Sequence, residues 1–316
     1  MIIVTGGAGF IGSNLVKALN ASGHNDIVVV DDMTDGKKYQ NIVDCVIEDY
    51  LDKDEFRRFI DSGCQVLQDA EIVFHQGACS ETTVRDGRFM LENNYSYSKL
   101  LFELCQQNNI PFIYASSAAV YGTARDFAEQ RQCEAPINIY GYSKYLFDEY
   151  VRRRLKQLRC QTVGLRYFNV YGPNEQHKAQ MASVAYHLNR QLLETGKICL
   201  FEGSDGYTAG EQRRDFIHVD DVVAANIWFM QHPDTSGIFN IGTGNSRSFN
   251  ELARAVIAWH GRGTIEYIPF PDGLRQCYQS FTEADIAALR DAGYAHEFYT
   301  LEQGINRYLD YLNSHA

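Results

Sequence analysis

A tyrosine and a lysine four residues apart, Tyr140 and Lys144, are the residues of this chain best suited to chemistry. On a helix, this spacing places both side chains on one face. A nearby ammonium stabilises a phenolate, so we expect Lys144 to bring the pKa of Tyr140 below its usual value of about 10. Such a tyrosine can exchange a proton with an alcohol as a hydride departs. The pair therefore indicates a hydride-transfer enzyme.

The same spacing occurs at Tyr95 and Lys99, and the chain has 20 tyrosines, so the pattern alone is weak. Context separates the two pairs. Ser116 and Ser117 end a predicted strand, and Tyr140 lies on the helix that follows it. A serine at that edge can bind the substrate oxygen beside the tyrosine. The earlier pair precedes this strand and is interpreted as ordinary helix surface.

A glycine-rich turn lies between the first predicted strand and the first predicted helix. Gly6 permits a tight turn, Gly9 lets the backbone approach a pyrophosphate, and Gly12 permits close packing of helix on strand. Asp31 ends the second strand, where an acid binds the ribose hydroxyl of NAD. Nearby lysines can instead neutralise the extra phosphate of NADP: Lys37, Lys38 and Lys53. The residues alone leave the choice between NAD and NADP open.

Short apolar segments alternate with helical ones through the first half of the chain. Strands are predicted at 2–5, 27–30, 42–47, 71–75, 111–115 and 162–167, with possible returns to the sheet at 214–219 and 238–241. Later helices are predicted at 181–193, 250–260, 282–292 and 301–313. This alternation predicts an α/β fold, a doubly wound parallel Rossmann sheet with a smaller, partly discontinuous α/β substrate-binding domain. The dinucleotide-binding domain is predicted at 1–170 plus about 214–242, and the substrate-binding domain at 171–213 plus about 243–316.

The chain is acidic, with 29 basic and 40 acidic residues and a net charge of -11. This charge argues against a nucleic-acid or acidic-membrane partner. No apolar run reaches the roughly 20 residues that span a bilayer, and no signal peptide is evident, so we expect a cytoplasmic protein. The eight cysteines and nine histidines are scattered without ligand spacing, so no metal site is expected.

These motifs together resemble the extended short-chain dehydrogenases/reductases that modify nucleotide sugars. Further support comes from 75–78, Asn93, 167–173 and 214–216. Within that family the chain is similar to the ADP-heptose 6-epimerases over nearly its whole length, with matching stretches at 1–14, 77–83, 140–150, 166–173, 181–189, 201–204 and 265–272. The resemblance implies NADP as cofactor, an ADP-sugar as substrate, a homo-oligomer (a homopentamer), and a part in making the heptose precursor of lipopolysaccharide.

The resemblance also implies the site residues. Tyr140 would be the acid/base, Lys144 would hold the nicotinamide ribose, Ser117 would position the reacting oxygen, and Lys178 would be a second acid/base. With the glycines of the turn included, the predicted cofactor-binding residues are Gly6, Gly9, Phe10, Ile11, Gly12, Asp31, Asp32, Lys38, Lys53, Gln76, Gly77, Ala78, Cys79, Ser80, Asn93, Tyr140, Lys144, Val170 and Lys178. The implied substrate-binding residues are Ser117, Asn169, Gln180, His187, Phe201, Glu202, Gly203, Ser204, Arg214 and Tyr278. The segments 205–212 and 273–277 depart from the family pattern beside these residues.

The implied reaction inverts C6'' of a heptose. That hydrogen is not acidic, so it would leave as hydride to give an aldehyde, which turns and takes the hydride back on its other face. The carbonyl oxygen then ends in a new position, where Lys178 would serve as a second proton donor, its pKa lowered by burial. The arginines Arg213 and Arg214 suit the substrate diphosphate.

Three other functions are weighed against epimerisation of an ADP-heptose. A dehydratase would carry an aspartate–glutamate pair directly after the serine, where this chain has Ala118 and Ala119. A hexose 4-epimerase would keep the serine, tyrosine and lysine at Ser117, Tyr140 and Lys144, but it has less use for Lys178. A non-catalytic dinucleotide sensor would lose the tyrosine or the lysine, and both Tyr140 and Lys144 are present.

Overall fold

The computed structural model describes residues 1–62, 67, 69–271 and 279–314. Its strands are β1 (Ile2–Thr5), β2 (Ile27–Asp31), β3 (Asp49–Asp52), β4 (Ile72–His75), β5 (Phe112–Ser117), β6 (Thr162–Tyr167), β7 (Asn169–Tyr171), β8 (Lys197–Phe201), β9 (Arg213–Arg214), β10 (Phe216–His218), β11 (Gly237–Ile241), β12 (Arg247–Ser248) and β13 (Thr264–Ile268). Its α-helices are α1 (Phe10–Ala21), α2 (Lys53–Asp61), α3 (Gly87–Leu91), α4 (Tyr97–Asn108), α5 (Ile139–Arg152), α6 (Val184–Thr195), α7 (Val219–Gln231), α8 (Phe249–His260), α9 (Ala287–Asp291) and α10 (Leu301–Ser314).

A seven-stranded parallel sheet forms the centre of the fold, in the order β11-β6-β5-β4-β1-β2-β3. The winding direction reverses between β1 and β4, where Thr5 pairs with His75. In such sheets ligands bind at this reversal, outside the carboxyl ends of the strands. The predicted α/β class with a doubly wound Rossmann sheet is confirmed.

Helices cover both faces of the sheet because its strands are apolar on both sides. Ile2 and Val4 pack with Leu15 of α1 on one face. Ile3, which points the other way, packs with Phe102 of α4. The side chains of β1 are all buried, as expected for a central parallel strand.

A second apolar core lies outside the sheet, among α6, α8 and α10. Leu188, Leu252 and Ile305, one from each helix, belong to it. Tyr171 of β7 and Phe216 of β10 also belong to this core. The chain therefore passes between the sheet and the second core more than once. The predicted domain boundaries stay a prediction. Among the described residues, none of the helices combines the length and apolar character needed to cross a membrane.

The strand predicted at 42–47 is wrong, and the third strand is β3. The segment is an irregular loop in which Val43 and Val46 are exposed, while Ile42 and Ile47 pack against the core. The side chain of Asn20 binds both backbone groups of Val46, at 2.9 and 2.8 Å. The Asn20 side chain therefore satisfies the backbone N–H and carbonyl of Val46, which need no hydrogen bonds from a neighbouring strand.

Two later predictions are partly wrong. Segment 214–219 does not return to the large sheet, because β10 pairs in parallel with β7; the return at 238–241 is confirmed by β11. The helix predicted at 282–292 is reduced to α9. Its first residues stay extended because Thr282 N–H donates to the Arg213 carbonyl at 3.2 Å, and Ala284 N–H donates to Asp215 at 3.0 Å.

A buried ion network joins β5, β6 and α5. The guanidinium of Arg166, a fully buried side chain, donates to Asp148 at 2.8 Å and to Glu134 at 2.5 Å. Asp148 also accepts hydrogen bonds from Tyr114 at 3.0 Å and from Ser116 at 2.8 Å. The network therefore fixes α5, the helix that carries Tyr140 and Lys144, against the two strands beside it.

We predict that Asp148→Asn destabilises the fold by about 3–5 kcal/mol, because it removes one of the two buried carboxylates that pair with Arg166 and leaves only Glu134. Chemical denaturation followed by circular dichroism measures this loss. Glu194→Gln removes the partner of Arg190 in an exposed pair and should leave the midpoint nearly unchanged. Equal stability of the two variants would contradict the prediction.

Candidate active site

The start of α5 sets the position of Tyr140. Asn138 caps the helix by accepting a hydrogen bond from Gly141 N–H at 2.8 Å. A Cβ on Gly141 would lie 2.5 Å from the Ala119 carbonyl oxygen, so the helix packs directly on the turn after β5. Ser117 caps that turn through Ala119 N–H at 3.1 Å. This packing places Ser117 beside Tyr140.

Burial dominates the electrostatics of the catalytic pair. It raises the pKa of Tyr140, and the hydrogen bond from Ser117 opposes that rise. Burial also lowers the pKa of Lys144 to about 8, with the negative charge of Asp148 opposing the shift. The Lys144 ammonium donates to the Ala115 carbonyl at 2.8 Å. The expectation that Lys144 brings the pKa of Tyr140 below its usual value is therefore wrong for the chain by itself.

The second tyrosine–lysine pair lies in a different environment. Tyr95 packs edge-on against Tyr150, and the Lys99 ammonium lies 4.9 Å from the centre of the same ring. This pair therefore makes packing contacts.

Asn94 is a positioning residue that the sequence did not reveal. It lies fully buried in a π-turn, Glu92–Ser96, between α3 and α4. Its carboxamide binds both backbone groups of Cys79, at 2.8 and 2.9 Å, and donates to Ser143 at 3.1 Å. Ser143 in turn donates to the Tyr140 carbonyl at 2.7 Å. Asn94 thus ties the predicted cofactor-binding loop to the catalytic helix; the neighbouring Asn93 contacts Phe89 instead.

The glycine turn fits a dinucleotide pyrophosphate. Gly6 has φ +68°, and a Cβ there would lie 2.6 Å from Gly77 N. A Cβ on Gly12 would overlap the Gly6 carbonyl. The helix α1 begins at Phe10 without a side-chain cap from Gly9 and without an acid in its first turn. Its first N–H groups therefore face a space that suits an anion.

Two lysines lie at the acidic end of β2. Both oxygens of the buried Asp31 are engaged, one by Ala8 N–H at 2.8 Å and the other by the Lys38 ammonium at 2.9 Å. The Lys53 ammonium pairs with Asp32 at 2.9 Å. The predicted residues Asp31, Asp32, Lys38 and Lys53 therefore form one cluster beside the glycine turn.

The remaining predicted cofactor residues lie around the same edge of the sheet. The Gln76 side chain is bound by Tyr167 at 2.9 Å and donates to Asn226 at 3.0 Å, so it turns into the fold. Ile11 and Val170 are partly buried against the core on the α1 face of the sheet. Gly77, Ala78, Cys79 and Ser80 follow β4 as an irregular segment.

Lys178 lies close to the glycine turn. Its ammonium is 5.4 Å from the ring centre of Phe10, the first residue of α1. Burial lowers the pKa of Lys178, and the charge of Glu175 opposes this shift. The structure therefore places a lysine that gives up its proton more readily than a surface lysine beside the cofactor-binding turn.

Several of the residues predicted to bind substrate lie in two groups, one around Ser204 and one formed by His187 and Gln180. Ser204 is buried, 2.9 Å from the Ser280 hydroxyl, and Gln212 donates to Ser204 and to the Glu202 carbonyl at 3.1 and 2.7 Å. Gly203 and Phe201 flank them, and Phe201 stacks on Phe270 at 4.7 Å. The His187 ring nitrogen contacts the Gln180 carbonyl at 3.3 Å.

Arg214 and Asn169 are two further residues predicted to bind substrate. Arg214 lies 5.6 Å over the Phe249 ring, and the exposed Asn169 accepts from Thr282 at 3.3 Å. Tyr278 lies outside the described residues. Within those residues, no group of three or more metal-binding side chains is found.

Comparison with known proteins assigns the class. The model of the NAD dependent epimerase/dehydratase family matches residues 2–242, and the chain belongs to this family. An ADP-L-glycero-D-manno-heptose-6-epimerase from Alkalilimnicola ehrlichii is 58% identical over 310 residues, covering 98% of this chain and 97% of that protein. The predicted nucleotide-sugar epimerase class is thereby confirmed.

Solved structures agree with this assignment. The Helicobacter pylori ADP-L-glycero-D-manno-heptose-6-epimerase is 31% identical with a TM-score of 0.85, covering 99% of this chain and 96% of its own. A Thermus thermophilus UDP-glucose 4-epimerase in complex with NAD is 25% identical with a TM-score of 0.81, covering 100% and 99%. The cofactor class is a nicotinamide dinucleotide.

We predict that Gly141→Ala lowers turnover about 10²-fold, because the added Cβ pushes α5 away from Ala119 and separates Tyr140 from Ser117. Dinucleotide content should stay close to that of the parent protein. Gly87→Ala is the matched control, since its Cβ would lie 3.5 Å from Ile139, an ordinary contact. Steady-state kinetics that show equal turnover for both variants would contradict this account of helix placement.

Proposed function

We propose that this chain epimerises ADP-D-glycero-D-manno-heptose to ADP-L-glycero-D-manno-heptose at C6'', with NADP bound. The observation that carries the chemistry is the placement of Ser117 and Tyr140 beside the buried Lys144, together with Lys178 next to the glycine turn. The choice of an ADP-heptose is supported by the relative that is 58% identical over 98% of the chain.

The residues of the chain handle protons in this reaction. When bound, a nicotinamide takes the C6'' hydrogen as hydride and later returns it. Tyr140 removes the proton of the C6'' hydroxyl, and Ser117 holds the same oxygen by a hydrogen bond. Lys178 gives a proton to the oxygen after the carbonyl has turned, and its lowered pKa makes that transfer easier. Two proton-handling groups thus serve the two faces of one carbonyl.

The preference for NADP is supported by the cluster at the end of β2. The carboxylate of Asp31 accepts from Ala8 and Lys38, so a ribose hydroxyl would compete with these donors. Lys38 and Lys53 bring two ammonium groups to the place where a 2'-phosphate would lie. A cytoplasmic location belongs to the same proposal. So does a homo-oligomeric state, a pentamer in the form that the family resemblance implies.

The second candidate is a hexose 4-epimerase, favoured by the likeness to the Thermus thermophilus enzyme. The two candidates differ in substrate, so parallel assays of ADP-D-glycero-D-manno-heptose and UDP-glucose separate them. We expect NMR to show inversion at C6'' of the heptose and no conversion of UDP-glucose. Turnover of UDP-glucose alone would replace the proposal by this second candidate.

We predict that Tyr140→Phe and Lys178→Ala each lower epimerisation by about 10²- to 10⁴-fold, the usual contribution of a positioned acid or base. Bound dinucleotide, measured after denaturation, should be retained in both variants. Lys17→Ala is the control, because Lys17 lies on α1 and pairs with Asp44 at 3.0 Å. Near-normal turnover of Lys178→Ala would remove the second base from the mechanism.

We predict that the purified protein releases NADP when it is denatured, as identified by mass spectrometry. A double variant, Lys38→Gln with Lys53→Gln, should lose at least tenfold in affinity for NADP and much less for NAD, because only NADP carries the 2'-phosphate. Arg190→Gln, on the exposed surface of α6, is the control. Release of NAD from the parent protein would overturn the choice of cofactor.

A further inference from the structure

Asn41 connects the glycine turn to the segment that carries Lys178. It is the last residue of a 3-10 helix, Gly36–Asn41, and its side chain is buried. Its Nδ2 donates to the Ala8 carbonyl at 2.9 Å and lies 3.1 Å from Nδ1 of His177. Ala8 lies in the glycine turn, and His177 directly precedes Lys178. One side chain thus bridges the two parts of the proposed site.

The hydrogen bonds of Asn41 fix the state of His177. The Ala8 carbonyl accepts only, so the amide nitrogen of Asn41 must face it. The second hydrogen of the same nitrogen points at Nδ1 of His177, which must therefore accept and carry no proton. Burial lowers the pKa of His177, and the nearby charges of Lys38 and Lys178 lower it further. A neutral ring is consistent with this contact.

The backbone around Lys178 is strained and held from several sides. Ala179 adopts φ 48° and ψ -115°, a conformation that favours glycine and costs a residue with a Cβ about 1–3 kcal/mol. Before it, Asn174 donates to Ser13 of α1 at 3.0 Å. After it, Ser183 donates to the buried Glu175 at 2.7 Å. Such a conformation persists only where neighbouring contacts determine it.

We propose that Asn41 is a positioning residue for Lys178, holding the second proton-handling group over the glycine turn through His177. This inference rests on the proposed function, because it assigns Lys178 a part in the reaction. Asn41 does not touch the reacting atoms and acts through the segment that it anchors. Because Lys38 lies on the same 3-10 helix, the helix that offers the cofactor phosphate a cation also anchors the second base.

Asn41→Ala tests the proposal. We expect kcat for the heptose epimerisation to fall 10- to 100-fold, with KM and NADP content within about twofold of the parent protein, because a misplaced group costs rate more than binding. His177→Ala should give a similar loss. The double variant should lose no more than either single variant, since both remove one contact.

A second measurement reports on Lys178 without any turnover. Competitive acylation of the holoenzyme across a pH series, read by mass spectrometry, gives the pKa of individual lysines. In Asn41→Ala, the pKa of Lys178 should rise toward the usual value of a lysine, as the segment opens to water. If the pKa of Lys178 keeps its parent value in both Asn41→Ala and His177→Ala, the proposal is overturned. An additive loss of kcat in the double variant would also overturn it.

Asn20→Ala is the matched control. Asn20 holds the same loop through Val46, but the structure gives it no contact with residues 173–183. It should leave kcat and the pKa of Lys178 unchanged; a loss equal to that of Asn41→Ala would show general loosening and overturn the proposal. If Lys178→Ala itself turns over normally, the two-base function fails, and the acylation result still decides whether Asn41 positions Lys178. If Asn41→Ala does not fold, His177→Ala removes the same contact without touching the glycine turn.

Discussion

The carboxylate of Asp148 is the interaction on which the site depends. It lies one helical turn after Lys144 on α5 and binds Ser116 of β5 and Arg166 of β6. Ser116 directly precedes Ser117, so one buried group sets the serine and the lysine relative to each other. Breaking such a network costs much more than an exposed ion pair, because the charges left behind cannot reach water.

The same carboxylate shapes the electrostatics of catalysis. Burial favours the neutral form of Lys144, and the negative charge of Asp148 opposes that preference. The chain alone leaves Tyr140 with a raised pKa and Lys144 bound to the Ala115 carbonyl. In the proposed reaction, a lower pKa of the tyrosine would therefore depend on positive charge that a bound dinucleotide brings to the site. Buried positions make such added charges more effective, because little water screens them.

The sequence predicted the regular part of the fold well and the irregular part poorly. Central strands are buried on both faces and appear as apolar runs, so β1, β2, β4, β5 and β6 followed from pattern alone. The edge strand Asp49–Asp52 has no apolar pattern, since it needs little burial. The apolar segment 42–47 was mistaken for it, because its backbone partner is one side chain, Asn20, far along the chain.

The candidate site shows the same division. Ser117, Tyr140 and the glycine turn follow from short motifs whose spacing has a direct physical reason. Asn94 and Asp148 do not, because each acts through contacts between residues distant in sequence. An asparagine in a helical segment indicates nothing in particular until a π-turn buries it against the backbone of Cys79. Positioning residues are thus the part that a single sequence reveals least.

The Ala8 peptide shows how cofactor site and second base are joined. The N–H of Ala8 donates to Asp31 and its carbonyl accepts from Asn41, so both backbone polar groups of this residue are bound within the protein. The N–H groups that α1 leaves uncapped are the ones that remain for phosphate. A turn held this firmly can anchor a strained neighbour, and Ala179 is such a residue, directly after Lys178. The rigidity that suits the glycine turn to a pyrophosphate therefore also supports the placement of Lys178 beside it, the lysine to which the proposed reaction assigns a proton.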